Sequence, residues 1–204
     1  MGNTDKQFII SVGREYGSGG IVIAEELAKR FNVPFYERSI LENIAKEKGV
    51  PYEDLKKYDE APKIRLFHRK VKDNSTAPQD NVAKMQFDYI LEKAKSGESF
   101  VVVGRCAEEV LKEYKGKQLI SIFILADKED KIKRISEVHH LNEEDAWDQI
   151  VRENARRKAY HNYYCKGKWG DSRNYDFSLN DSRLGMEGAI DAIETYIKRR
   201  LNEL

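Results

Sequence analysis

Apolar residues along this chain keep two rhythms. Short β-branched runs, Phe8-Ile9-Ile10-Ser11-Val12, Ser99-Phe100-Val101-Val102-Val103 and the stretch 119–125, have the composition of buried strands. Pro34-Phe35-Tyr36 and 175–179 read as two shorter ones. Between them the period changes. Ala24, Leu27, Ala28 and Phe31 recur at helical spacing and predict an amphipathic helix over 21–31. Ser39 and Glu42 stand in the Ser-x-x-Glu form of a capping box, which predicts a helix from Ser39 to about Lys48. Helical patterning also marks 51–58, 63–71, 81–95, a stretch from Gly104-Arg105 to near Tyr114, 127–138 and 188–201. Asn142 followed by Glu143, Glu144 and Asp145 opens another helix, with acids at the positive end of its dipole, that runs to Tyr164. The stretches 73–78 and 166–174 read as loops. Strands alternating with helices predict a parallel α/β sheet.

Composition narrows the class. At 204 residues, 40% hydrophobic and 35% charged, the chain has enough apolar material for a single domain with a solvated surface. No apolar run approaches the roughly 20 residues of a membrane span. The polar start, Met1 to Gln7, has no signal-peptide pattern, and Lys6 spoils a myristoylation signal at Gly2. Two cysteines, Cys106 and Cys165, supply neither a disulfide framework nor a structural zinc site. These features predict a cytoplasmic protein without a membrane partner. With 36 basic and 35 acidic side chains, the near balance argues against nucleic acid as the main partner. The charge is uneven, however: residues 151–173 hold seven cations against two anions, a place for something anionic to visit.

The chemistry begins at Gly13-Arg14-Glu15-Tyr16-Gly17-Ser18-Gly19-Gly20, between the first strand and the first helix. Backbone N–H groups of a glycine-rich turn, backed by a helix N-terminus, cradle phosphate oxygens. A tight turn with several positive φ angles would need the same glycines. Gly17, Ser18, Gly19, Gly20 and Ile21 are the candidate phosphate-binding residues.

With this loop at its start, the chain resembles the cytidylate kinase-like proteins of the P-loop nucleoside monophosphate kinases. Further blocks carry the likeness: Val103-Gly104-Arg105, Lys168-Trp169-Gly170-Asp171, Asn174-Tyr175-Asp176 and Asn180-Asp181-Ser182-Arg183-Leu184-Gly185. The resemblance spans nearly the whole chain. It implies one P-loop domain over 1–204 with a parallel five-stranded sheet flanked by helices. It also implies a helical acceptor-binding insert over about 37–95 and a mobile basic lid over about 151–174.

The sequence departs from the family pattern at three places. A Walker loop has Lys and then Ser or Thr after Gly19; here Gly20 and Ile21 follow. The Lys is usually absent in this group, which more often carries a basic residue where Ile21 stands. Arg14 is the nearest cation to fill the gap, its alternative being a surface arginine paired to Glu15. Arg105 begins at the carboxyl edge of the sheet, where ligands of open α/β sheets bind, and the resemblance makes it an acceptor contact. Cys106 replaces an Asp that typically follows that arginine in cytidylate kinases. Arg152, Arg156 and, to a lesser degree, Lys158 and Arg157 share adjoining faces of the lid helix and could surround a transferring phosphoryl group. Asn154 replaces an Asp three residues before an arginine of the lid.

Tyr160, Tyr163, Tyr164 and Trp169 either stack on a base or pack with one another. Glu37 ends the second strand, as a holder of magnesium-bound water or as an ordinary helix-leading acid. Lys63, Arg65, Arg69 and Lys70 fall in the expected acceptor insert and are candidates to touch an acceptor phosphate. His139-His140 offers no metal-ligand spacing, so no protein metal ligands are assigned. The expected activity is ATP- and Mg2+-dependent phosphotransfer to a nucleoside monophosphate, CMP first, or a similar small acceptor. A catalytically weak nucleotide sensor on the same fold, and a kinase for an unrelated metabolite, are the alternatives.

Overall fold

The computed structural model describes residues 7–60, 77–115 and 118–202. Five strands, β1 (Phe8–Arg14), β2 (Phe35–Tyr36), β3 (Phe100–Val103), β4 (Gln118–Leu125) and β5 (Phe177–Asn180), form one sheet. Their order is β2-β3-β1-β4-β5, and every pairing is parallel. β1 is central and buried along its whole length, which explains why Phe8 to Val12 is apolar but for Ser11. The chain leaves β1 towards β2 on one side and later crosses to β4 on the other, so the ligand crevice lies at the carboxyl end of β1.

Among the described residues eight α-helices surround the sheet: α1 (Gly20–Arg30), α2 (Ser39–Lys48), α3 (Tyr52–Lys56), α4 (Pro78–Lys95), α5 (Ala107–Val110), α6 (Lys128–His139), α7 (Glu143–Tyr164) and α8 (Gly185–Arg200). The two-residue period of the strands sorts the core. Ile10, Val12, Val101, Val103, Ile120 and Ile122 face Ile23 and Leu27 of α1 and Ile190 and Ile193 of α8. Ile9, Phe100 and Val102 face the other way, against Ile40 and Ile44 of α2 and Ile90 of α4. At roughly 25 cal/mol per Å2 of apolar surface, these two layers supply the main drive to fold. On the surface Arg30 of α1 clamps three acids of α8: Nη1 donates to Asp191 and Glu194 at 2.6 Å and Nη2 to Glu187 at 2.5 Å.

Several boundaries differ from the pattern. Ser39 is the first residue of α2, not its cap; Arg38 precedes it and no side chain caps the end. Instead the Glu37 carbonyl accepts from Ile40 N–H at 3.4 Å, and its own carboxylate accepts from Arg38 N–H at 2.6 Å. α4 starts three residues early, because Pro78 fits the first helical turn. α5 stops at Val110: Lys112 N–H turns to the Glu109 carbonyl and Tyr114 N–H to that of Leu111, tightening the chain out of the α-helix. β5 starts two residues late because Asp176 is spent on Ser121, accepting from its N–H at 2.8 Å and its hydroxyl at 3.0 Å. The expected helix over 63–71, its four basic candidates and most of the 73–78 loop lie outside the described residues.

Candidate functional site

The glycine loop leaves β1 at Arg14 and enters α1 at Gly20. Gly17 at φ 80° and Gly19 at φ 73° hold left-handed conformations. Side chains are also excluded by space: a Cβ on Gly19 would lie 2.5 Å from Met186 Cε, and one on Gly20 2.6 Å from Arg14 Cβ. Ser18 turns inward, its hydroxyl donating to the Glu15 carbonyl at 2.9 Å and its N–H to the same carbonyl at 3.4 Å, and so pins the loop around the space at the start of α1. The first N–H groups of α1 have no partner within the helix and point into the same space. Ile21 lies half-exposed at the rim, an apolar side chain where a hydroxyl would ligate a cation.

Side chains from α6 and the β5–α8 connection brace this loop. Lys131 Nζ donates to Glu15 Oε2 at 2.6 Å. Arg134 donates to the Gly17 carbonyl at 3.1 Å and pairs with the buried Asp181 carboxylate at 2.6 Å. Burial raises the Asp181 carboxyl against the pull of Arg134. Asp181 lies under Gly19, where a Cβ would stand 3.4 Å from its oxygen.

Arg14 does not pair with Glu15 at the surface. It is buried at the crevice floor, with Nη2 3.9 Å from Glu37 and Nη1 3.8 Å from Glu60. Beside it, Gly104, Arg105 and Cys106 are three consecutive left-handed residues, φ 72°, 54° and 54°. For Arg105 and Cys106 that conformation is strained, and such strain gathers where geometry serves function. It delivers Arg105 into the crevice, donating to Glu60 at 3.1 Å and to Asp59 at 2.8 Å. Gly104 has to be glycine, since a Cβ there would collide with Arg14 Nη1.

The third guanidinium comes from α7. Arg157 is buried, 3.9 Å from Glu60 and 5.2 Å from the centre of the Tyr16 ring. Arg152 and Arg156 are far more exposed; Arg152 lies 3.9 Å from Glu153, and Arg156 donates to the same residue at 2.8 Å. The order of the lid cations is thus the reverse of that suggested by helical spacing: Arg157 enters, Arg152 and Lys158 face solvent, and Arg156 reaches the edge by charge alone. Tyr160, Tyr164, Phe87, Trp169 and Phe123 pack in edge-on or tilted pairs 4.9–5.4 Å apart, as apolar filling.

Burial alone would raise the Glu60 carboxyl, but Arg105, Arg14 and Arg157 hold it down to about 2. Desolvation pushes Arg157 the other way, down to about 9, and repulsion from Arg14 adds to it. Arg14 is lowered for the same first reason, while the two acids hold Arg105 up. Donors remain to spare: Arg14 Nε, Arg105 Nε and Arg157 Nε and Nη1 are buried without a hydrogen-bond partner. Buried unpaired guanidinium N–H groups are costly, and phosphate oxygens are acceptors that fit them bidentately. Glu37 and Asp59, both partly exposed beside this cluster, offer hard oxygen donors of the kind a magnesium ion would need.

Sequence reasoning missed the hub that joins loop to lid. Tyr16 N–H donates to Asn154 Oδ1 at 2.7 Å, which gives Asn154 a neutral role that a carboxylate would share. The Tyr16 hydroxyl meets His139 Nε2 and Gln149 Nε2, both at 2.9 Å. Glu60 and Asp59 were missed too. They follow a five-residue helix, Glu60 at φ 48°, and no spacing in the sequence ties them to arginines 45 residues or more away.

Comparison with known proteins bears on the family and the fold. The profile of the cytidylate kinase-like family matches residues 9–183. The cytidylate kinase of Methanococcus vannielii is 27% identical over 192 residues, covering 93% of this chain and 99% of its own. That of Methanocaldococcus jannaschii is 25% identical over 191 residues, covering 93% and 97%. Among solved structures, an uncharacterised protein from Eubacterium ventriosum superimposes with a TM-score of 0.74 at 36% identity, over 94% of this chain and 99% of its own. A shikimate kinase from Bacteroides thetaiotaomicron shares the fold at TM-score 0.56 and 11% identity, over 94% and 98%. A parallel sheet with a glycine loop at the end of its central strand and a matching profile from Ile9 to Arg183 place the chain in the cytidylate kinase-like family.

Proposed function

We propose that the protein is an ATP-dependent phosphotransferase acting on a nucleoside monophosphate, CMP or a similar small acceptor, in the cytoplasm. The observation that carries this reading is the set of three buried guanidiniums with unsatisfied N–H groups beside the glycine loop, at the carboxyl end of β1. In this reading an acceptor phosphate oxygen attacks the γ-phosphorus, the bond to the β–γ bridging oxygen breaks, and ADP leaves. The nucleophile is already anionic, so no strong general base is required. Loop N–H groups from Gly17 to Ile21 hold the donor phosphates. Arg14 stands in for the Walker lysine, Arg105 holds the acceptor and Arg157 covers the transferring group, with Arg156 and Arg152 behind it. Glu37 would hold a magnesium ion through water, and the ion would supply charge neutralisation for the phosphates. The α7 helix excludes water and limits hydrolysis.

One feature favours a weak or silent nucleotide binder on the same fold: the Glu60 carboxylate stands among the arginines that a phosphate would use. ADP release from Mg-ATP, with and without a panel of monophosphates, separates the readings. Release that depends on one monophosphate supports the kinase and names its acceptor. Tight nucleotide binding without acceptor-dependent release supports the silent binder, and turnover only on another small alcohol or phosphate marks a metabolite kinase.

A further inference from the structure

A second constellation stands beside the arginines, and the phosphoryl transfer proposed above gives it no role. α5 begins just past Arg105 and brings Glu108; the last turn of α7 and its C-cap bring His161 and Cys165. One ligand atom from each of these three residues lies within 4.8 Å of the others. His161 Nε2 and Glu108 Oε1 are already 2.7 Å apart, sharing a proton. His161 and Cys165 are four residues apart, which puts nitrogen and sulfur on one helix face. A separation of 53 positions between Glu108 and His161 hides the set from any reading by spacing.

We infer that Glu108, His161 and Cys165 form a binding site for a single zinc-class divalent cation. Nitrogen, sulfur and carboxylate oxygen together suit a borderline-soft ion such as Zn2+, not Mg2+ or Ca2+. Three protein ligands leave a fourth position, and all three residues line a cavity of about 370 Å3 that can bring water to it. Each ligand has an outer partner. Ser11 Oγ lies 3.4 Å from Glu108 Oε2, the oxygen that does not face His161. The other ring nitrogen of His161 lies 3.4 Å from Asn162 Oδ1, and Cys165 packs against the cluster that holds Cys106. Such outer contacts hold ligands in their binding orientation. On binding, the ion displaces the proton shared by His161 and Glu108 and the Cys165 thiol proton, which go to solvent. The ion then ties the Arg105 loop to the end of the α7 helix.

The test is titration of the full, reduced, metal-stripped chain with Zn2+ against a chromophoric chelator, and with Co2+ followed by absorption. We expect one ion per chain and a thiolate-to-cobalt charge-transfer band with tetrahedral d–d intensity. Cys165→Ser and His161→Ala should each weaken Zn2+ binding by about a hundredfold or more, whereas Cys106→Ser should keep both stoichiometry and band. No Zn2+ bound, a cobalt spectrum without the thiolate band, unchanged affinity in both ligand variants, or loss of binding in Cys106→Ser would each overturn the three-ligand site. The cobalt spectrum is read on the unsubstituted chain, so it decides even where a variant fails to fold.

Discussion

Three guanidiniums share one buried carboxylate, and the consequences belong first to single side chains. Arg14 sits in the crevice with an unpartnered Nε, and Arg152 faces solvent. Arg14→Ala should therefore cut kcat by about 100- to 1000-fold, while Arg152→Ala stays within about twofold; steady-state ADP release measures both. Glu60→Gln removes the negative charge at the centre of the cluster. Its folded state should be less stable, because three like charges lose their counter-ion. Its affinity for pyrophosphate should rise about tenfold, read by calorimetry; a fall would show that Glu60 orients the arginines for phosphate. Arg14 and Arg105 could be singled out in the sequence because each ends a buried strand next to glycine. Glu60 could not, since its value arises only when residues 14, 60, 105 and 157 meet in space.

At the level of elements, the glycine loop was legible because strand, glycines and helix follow each other within twenty residues. Its braces were not: Lys131, Arg134 and Asp181 come from distant elements and look like ordinary surface charges in the sequence. Capping boxes depend on a single backbone turn, and Ser39 shows how one residue's shift removes the cap while leaving the helix. The loop offers a graded test. Gly19→Ala incurs both a left-handed φ and the Met186 contact, whereas Gly49→Ala, at φ 64° with nothing within 4 Å, meets only the first. Gly49→Ala should cost about 1–2 kcal/mol and Gly19→Ala more, with Met186→Ala recovering part of the difference. Chemical denaturation of the four proteins gives the answer.

For the whole molecule, the parallel sheet was plain in the sequence because strands buried on both faces are nearly pure apolar runs. The ion pairs that set its acid tolerance were not. Glu60 titrates near 2 in the folded protein against an ordinary 4.5, so the unfolded chain binds its proton first. Its contribution is complete above the ordinary value and is lost as pH falls from about 4.5 towards 2. Asp171 is also held near 2, by Arg173, but at the surface solvent screens that pair. Urea unfolding between pH 6 and pH 2 (~4 units of the scale, spanning the window) should show stability falling with acid, and Glu60→Gln should flatten that slope. An equal slope in both would assign the acid sensitivity elsewhere.

α7 carries Asn154, Arg157 and His161 at intervals of three and four residues, so all three lie along one stripe of a 22-residue helix about 33 Å long, with Cys165 at its C-cap. The stripe touches the glycine loop through Asn154, the arginine cluster through Arg157 and the α5 turn through His161. A rod seamed along one line parts from its neighbour like a zip, since loosening any tooth lowers the hold on the next. Loss of any one of these three contacts is therefore expected to loosen the other two.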